Sequence, residues 1–214
     1  MGTITRRNTP IGAEMSREGL PETGTLRSRD FVRRGISRQQ VKRMLQRGEV
    51  ERLGRGIYRL PATEWTRHHA LAEVALRVPH GIVCLTSALA FHNLTTQIPS
   101  QVYLLIERTA RPPRTASPAV RLFRATGEAL HVGVETREIE GVAVRITNLP
   151  RTVADCFKYR NKIGLDIALE ALKESLRRDP RTGRSACTRD DLYSYARLLR
   201  VHNVIRPYLE ALSV

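Results

Sequence analysis

The stretch from Asp30 to Leu60 constrains the chain most, because its signals for turns, caps and faces all agree. Asp30–Arg34 reads as the end of a short helix, and Gly35 permits a tight turn after it. Ser37 and Gln40 have the spacing of a capping box, in which each side chain satisfies an orphan backbone N–H. The helix it opens runs through Arg47 and stops at Gly48. Val41, Met44 and Leu45 share one stripe at helical spacing and face a core. Gln39, Lys42, Arg43 and Gln46 point away from that stripe. Helix, glycine turn, and a second helix with a basic, amide-rich outer face form the helix-turn-helix pattern.

Glu49–Leu53 and Ile57–Leu60 read as two short strands joined by Gly54, Arg55 and Gly56. The two glycines allow the positive φ angles of a tight hairpin, and arginine is lifted at its tip. A basic-tipped hairpin after such a helix is a wing. In this winged helix the second helix would enter the major groove, where Arg, Lys and Gln read base edges. Arg52, Arg55 and Arg59 would meet phosphates or the neighbouring minor groove. The competing reading is a small helical domain with a solvated basic face.

The net charge of +15 favours a polyanionic partner. Residues 1–62 carry 14 Lys/Arg against 6 Asp/Glu, so more than half the excess sits in under a third of the chain. Nearly all of it is arginine, which suits bidentate contact with phosphate and guanine. No apolar run approaches the roughly 20 residues of a membrane helix, and the N-terminal residues lack the apolar core of a secretion signal. The three cysteines, Cys84, Cys156 and Cys187, are odd in number and widely spaced. They predict reduced thiols in a cytoplasmic protein, with no disulfide framework and no zinc site.

In chain order, residues 1–24 form a polar arm, broken by Pro and Gly, in which Arg6 and Arg7 could lie on DNA and part of 10–19 could form a first helix. Residues 25–62 make the winged-helix domain, and residues 63–214 an α+β domain. The latter opens with a helix from Thr63 to Arg77, burying Trp65, Leu71, Val74, Ala75 and Val78. Ile82–Thr86 is a buried strand, and Ser87 caps a brief helix after it. Strands follow at Gln101–Glu107, Val120–Ala125, His131–Glu138 and Val142–Ile146, the last two joined by a turn at Gly141. A proline-rich basic loop, Arg108–Pro118, separates the first two of these. The alternation predicts a small, mainly antiparallel sheet with one wet face. From Pro150 the chain turns helical at 150–159, 163–178, 189–200 and 202–212, with Thr188 as a cap.

The search for catalytic groups leaves no constellation. A magnesium nuclease wants an acidic residue and a Glu-x-Lys on adjacent strands, whereas Glu170 and Lys173 are three apart in a helical segment. His68 and His69 are adjacent and cannot chelate one metal together, His92 reads as a buried polar residue, and Cys156 as a core thiol. No metal, cofactor or enzymatic activity is expected. The alternative is a nuclease-like effector delivered to nucleic acid by the winged helix.

One later stretch, Asn148–Leu172, is unusual for packing alone. Its apolar positions make a helical core, and between them lie Arg151, Asp155, Lys158, Tyr159, Arg160, Asn161 and Lys162. Arg151 and Asp155 are four apart and could pair along a helix. The set as a whole reads either as a solvated face or as a second nucleic-acid or protein surface.

Three segments resemble the bacterial AbiEi family of antitoxins: the winged helix ending in GRGIYRLP (Gly54–Pro61), LTSALAFHNL (Leu85–Leu94) and TNLPRTVADCFKYRNKIGLDIALEAL (Thr147–Leu172). The resemblance covers most of residues 25–175; the chain beyond about 178 has little to match. It implies a transcriptional repressor that binds inverted repeats in its own promoter and counteracts a nucleotidyltransferase-like AbiEii toxin without a stable toxin complex. By carry-over Arg38, Gln39, Lys42, Arg43, Gln46 and Arg55 would bind DNA. Arg151, Asp155, Lys158, Arg160 and Asn161 would sit in the antitoxin region. One such module buries little surface, so two copies on the operator are expected, as a dimer or by cooperative loading of monomers.

Overall fold

The computed structural model describes residues 20–21, 24–62, 64, 66–113 and 118–212. The expectations for Arg6, Arg7, a helix within 10–19, Thr63 and Trp65 lie outside the described residues. The chain divides into two compact units, Met1–Trp65 and Thr66–Val214.

In the N-terminal unit a strand β1 (Thr25–Arg27) leads into helix α1 (Ser28–Arg33) and then helix α2 (Arg38–Gln46). A hairpin of β2 (Glu51–Gly54) and β3 (Ile57–Arg59) follows. The expected capping box is present: Gln40 N–H donates to Ser37 Oγ at 3.3 Å, and Ser37 N–H to Gln40 Oε1 at 2.7 Å. Gly35, at φ +74°, makes the turn between the helices. The sequence reading passed over β1, which pairs antiparallel with β3 to give a sheet ordered β1-β3-β2. With three residues it is too short for a period-2 signal. Phe31, Val41, Met44, Val50 and Leu60 bury together, and the Tyr58 ring stands edge-on to Phe31 at 5.2 Å.

The C-terminal unit begins with α3 (His69–Arg77), six residues later than expected. Thr66 N–H and Oγ1 are held by Glu140 Oε1 at 2.9 and 3.0 Å, which keeps the chain out of helix until His69. Strand β4 (Ile82–Val83) is shorter than predicted. Leu85, at φ +50°, turns the chain into α4 (Leu85–Phe91) at once. Ser87 is therefore inside that helix and not its cap; its Oγ accepts the Tyr103 N–H at 2.9 Å. Strands β5 (Val102–Glu107) and β6 (Val120–Ala125) come next. A one-turn helix α5 (Glu128–His131) displaces the start of β7 (Val134–Ile139), and β8 (Val142–Thr147) completes the sheet. Glu140 and Gly141, both at positive φ, form the two-residue turn between β7 and β8.

The sheet order is β6-β5-β4-β8-β7. Pairs β4/β5 and β7/β8 are antiparallel as expected, but β4/β8 and β5/β6 are parallel, so this sheet is mixed. The four C-terminal helices predicted become five, because Gly164 at φ +104° divides α7 (Arg160–Ile163) from α8 (Leu165–Leu176). The others are α6 (Leu149–Lys158), α9 (Arg189–Leu198) and α10 (His202–Ala211). Asn148 caps α6, and Thr188 caps α9 in a capping box with Asp191. Helix α6 is the centre of the core: Val153, Ala154, Cys156 and Phe157 are buried against residues of α4, α8, α9 and α10. Among the described residues no helix is long and apolar enough to cross a membrane.

Glu140 ties the β7–β8 turn to the start of α3, since its other oxygen lies 2.6 Å from His69 Nδ1. Burial opposes its charge, but the hydrogen bonds from His69 and Thr66 outweigh burial and hold its carboxyl below the ordinary value of 4.5. A depressed carboxylate contributes stability above its unfolded pKa and loses it as the pH falls through the folded one. Thermal unfolding of Glu140→Gln should therefore show a smaller loss of stability below pH 4.5 than the unaltered protein. Parallel curves for the two would remove Glu140 from that role.

Candidate nucleic-acid interface

At 3.6 residues per turn, Arg38, Gln39, Lys42, Arg43 and Gln46 fall within an arc of roughly 140° on α2. All five are exposed. The opposite side carries Val41 and Met44, both buried, and Leu45, partly buried against the same core. A short helix thus has one wall locked into the unit and the other presenting three cations and two amides. Each amide offers both a donor and an acceptor, as base edges do.

The hairpin keeps its arginines in three different states. Arg55 is exposed at the two-residue tip, beside Gly56 at φ +73°. Gly54 does not use a positive φ, so Gly56 alone of the two glycines does what the sequence reading assigned to both. Gly56 also cannot carry a side chain freely, because a Cβ there would approach Ser28 Oγ to 3.1 Å. Its carbonyl accepts the Ser28 N–H at 2.9 Å, which ties the hairpin tip to the start of α1. Arg52 is exposed and bends back, Nε donating to the Gly54 carbonyl at 3.3 Å. Arg59 is partly buried and paired across the strands with Glu51. Arg29 and Arg33 on α1 are further exposed cations that the sequence reading did not single out. No periodic signal marks them, because α1 is a short helix with one buried residue.

The polar set of the C-terminal unit splits. Arg151 and Asp155 are each 1% exposed, so they are not part of a face. Arg151 Nε donates to Asp155 Oδ2 at 2.8 Å. Its Nη1 and Nη2 donate to the Val132 and Ala129 carbonyls at 2.6 and 2.7 Å, satisfying the orphan end of α5. Burial pushes the Asp155 carboxyl up, against the pull of Arg151. The spacing of four correctly indicated a pair, but the burial of that pair and the two α5 carbonyls that accept from Arg151 have no signal in the sequence.

Lys158, Tyr159 and Arg160 are partly exposed, and Asn161 and Lys162 are exposed. The Lys162 ammonium lies 5.7 Å from the centre of the Phe123 ring and 5.8 Å from that of Tyr159. Lys158 sits 5.8 Å from the Tyr159 ring as well. From β6, Arg121 approaches the Tyr103 and Phe123 rings at 5.5 and 5.8 Å and donates to the Lys162 carbonyl at 3.1 Å. Burial, with the Asp155 charge, pushes the Tyr159 phenol up to about 12, so it stays protonated and donates to the Arg124 carbonyl at 3.2 Å. The result is a cationic rim on aromatic rings, joined by Tyr103, Arg121 and Phe123 from strands far away in sequence.

Glu170 and Lys173 both lie in α8, not on strands. The three thiols are free and buried, and burial raises the pKa of each. His92 is half-buried against the Thr147 carbonyl at 2.7 Å, and burial lowers its pKa.

Residues 22–61 match the family model described as transcriptional regulator, AbiEi antitoxin. The matched segment holds the α1–α2 pair and the hairpin. The resemblance read from the sequence is thereby met over these residues, and the family is one of antitoxin transcriptional regulators. No curated protein matches the chain.

Removing Arg151 would leave a buried carboxylate and two partly buried carbonyls without this donor. Arg151→Met should destabilise the C-terminal unit by about 3–5 kcal/mol in urea unfolding, the range for breaking a buried pair. Arg151→Met with Asp155→Leu should recover part of that loss, because no unpaired charge then remains. A near-neutral single substitution would show that α5 is held by other contacts.

Proposed function

We propose that the chain is a transcriptional repressor and antitoxin whose N-terminal unit is a winged helix-turn-helix that reads operator DNA. The observation that carries this is the α2 face, with Arg38, Gln39, Lys42, Arg43 and Gln46 exposed together on a helix otherwise anchored in its core. That face lies within the segment matching the antitoxin regulator family. Helix α2 enters the major groove with these side chains against base edges, and Arg55 at the hairpin tip meets backbone or minor groove. Arg52 joins it by releasing a weak bond to its own strand, while Arg59, paired with Glu51, serves mainly to hold the hairpin. Two copies occupy an inverted repeat in the chain's own promoter, since one small module buries too little for a specific site.

The C-terminal unit supplies the antitoxin activity against an AbiEii-type nucleotidyltransferase. Lys158, Tyr159, Arg160, Asn161 and Lys162 are its surface residues, and Arg151 and Asp155 position α6, which ends at Lys158 and leads into the rest. The protein works in the cytoplasm and needs no cofactor and no catalysis of its own.

Footprinting on the DNA upstream of the gene tests the first half. Protection of an inverted repeat is expected, with Arg43→Glu weakening binding by about tenfold or more, since a good base contact is worth about 1–3 kcal/mol. Lys42→Ala should lower the slope of log affinity against log salt by about one if Lys42 neutralises one phosphate. Unchanged affinity in both variants would move the reading face off α2. For the second half, growth rescue from a co-expressed toxin should persist when Arg43 is reversed and fail when Lys158 and Lys162 are both made Glu.

A further inference from the structure

The C-terminal unit contains a cleft of about 530 Å³ between the start of α3, the end of α4 and the loop Thr95–Gln101. Sites for small ligands typically span about 300–1,000 Å³, with mostly apolar walls and a few convergent polar groups. Here the apolar walls are Ala70, Leu71, Ala90, Ile98, Pro99 and Val102. Ile98 is 91% exposed, so a large aliphatic side chain stands on the rim with nothing over it. Neither the sheet nor the core needs it there.

Among the described residues that line it, Arg67 is the cation and none is a carboxylate. Its Nη2 donates to Asn93 Oδ1 at 2.6 Å and its Nε to His68 Nε2 at 3.1 Å. Both acceptors are neutral: His68 must offer a bare Nε2 to take that bond, and burial followed by the Arg67 charge lowers its pKa. A guanidinium has five N–H donors in a planar fork, so these two bonds leave its charge uncompensated and most of its fork open. The two bonds also fix the side chain in place, which reduces the entropy a ligand must overcome. The neighbouring acid, Glu140, is not available to Arg67, because its oxygens are taken by Thr66 and His69.

We propose that this cleft binds a small apolar carboxylate, its hydrocarbon body against Ala90, Ile98 and Val102 and its carboxylate on the Arg67 fork. Charge complementarity selects the anion, and the single Arg67 cation among the described lining residues argues against a phosphodiester chain, which needs several. The contact would be a charge-assisted, bidentate pair at the edge of an apolar surface. Nothing in this depends on DNA reading by the N-terminal unit, because binding is observed on the ligand itself.

The test is calorimetric titration of the full-length protein with 4-phenylbutyrate and, separately, with the neutral alcohol of the same carbon skeleton, 4-phenyl-1-butanol. Saturable binding of the acid is expected, with the alcohol and the Arg67→Gln variant each weaker by about tenfold, the effect of losing one charge-assisted contact. Ala90→Phe, which fills the cleft, should abolish binding of the acid. Equal affinity for acid and alcohol would overturn the assignment, as would an acid that binds Arg67→Gln as well as the unaltered protein. No saturation up to the solubility limit of the acid would overturn it too.

Discussion

The Arg151 guanidinium is the interaction on which the C-terminal unit depends. It is a charged group with almost no access to solvent, and it persists because each of its three nitrogens has an acceptor. One acceptor is on its own helix and two are the end of α5, which makes one side chain the bond between a long core helix and a one-turn element that could not stand alone. The surroundings are fitted to it. A Cβ on Gly133 would come within 3.0 Å of the Arg151 Cβ and 2.7 Å of the Tyr195 ring, and Tyr195 in turn accepts from Asn148, the cap of α6. Cap, glycine, arginine and tyrosine therefore position one another, and α6 is fixed in rotation as well as in place.

That fixed rotation decides what α6 shows outside. From Arg151 to Phe157 it is buried, and its polar surface begins only at Lys158, where the chain passes into α7. The cations there are spread over rings, a geometry in which the π-face supplies part of the electrostatic partner that a carboxylate would otherwise supply. The charge stays available to an outside anion. By contrast the hairpin of the N-terminal unit commits one of its arginines to Glu51 and leaves the tip uncommitted. Both units hold some cations for structure and leave others facing out, and residue type alone does not separate the two.

The same contrast explains what could be read from the sequence. Helix α2 was legible to within a residue because cap, stripe and stop are all local: Ser37 with Gln40, Val41 with Met44, and Gly48 at φ +71°. Thr188 and Gly141 were legible for the same reason. What depended on distant partners was not. Helix α3 starts late because Glu140 intervenes from more than 70 residues away, and Ser87 turns from cap to brace because Tyr103 reaches it. The parallel pairs β4/β8 and β5/β6 have no local signature, since a short apolar run reads alike in either direction. For the candidate sites, exposure of the α2 face followed from periodicity, but neither the burial of Arg151 nor the contribution of Arg121 and Phe123 could.

The middle of the five-stranded sheet joins Val83 to Ile146, so the stretch between them must be complete before its centre can close. The N-terminal unit makes its sheet and core from residues within about forty positions of one another. Closing long loops is slow, and domains form in the order in which they emerge during synthesis. The unit that carries the α2 face can therefore be complete on the ribosome while the five-stranded sheet of the later unit is still waiting for β8. Assembly on the pathway of translation is thus ordered by topology alone, with the exposed basic helix formed before the part of the chain that α6 organises.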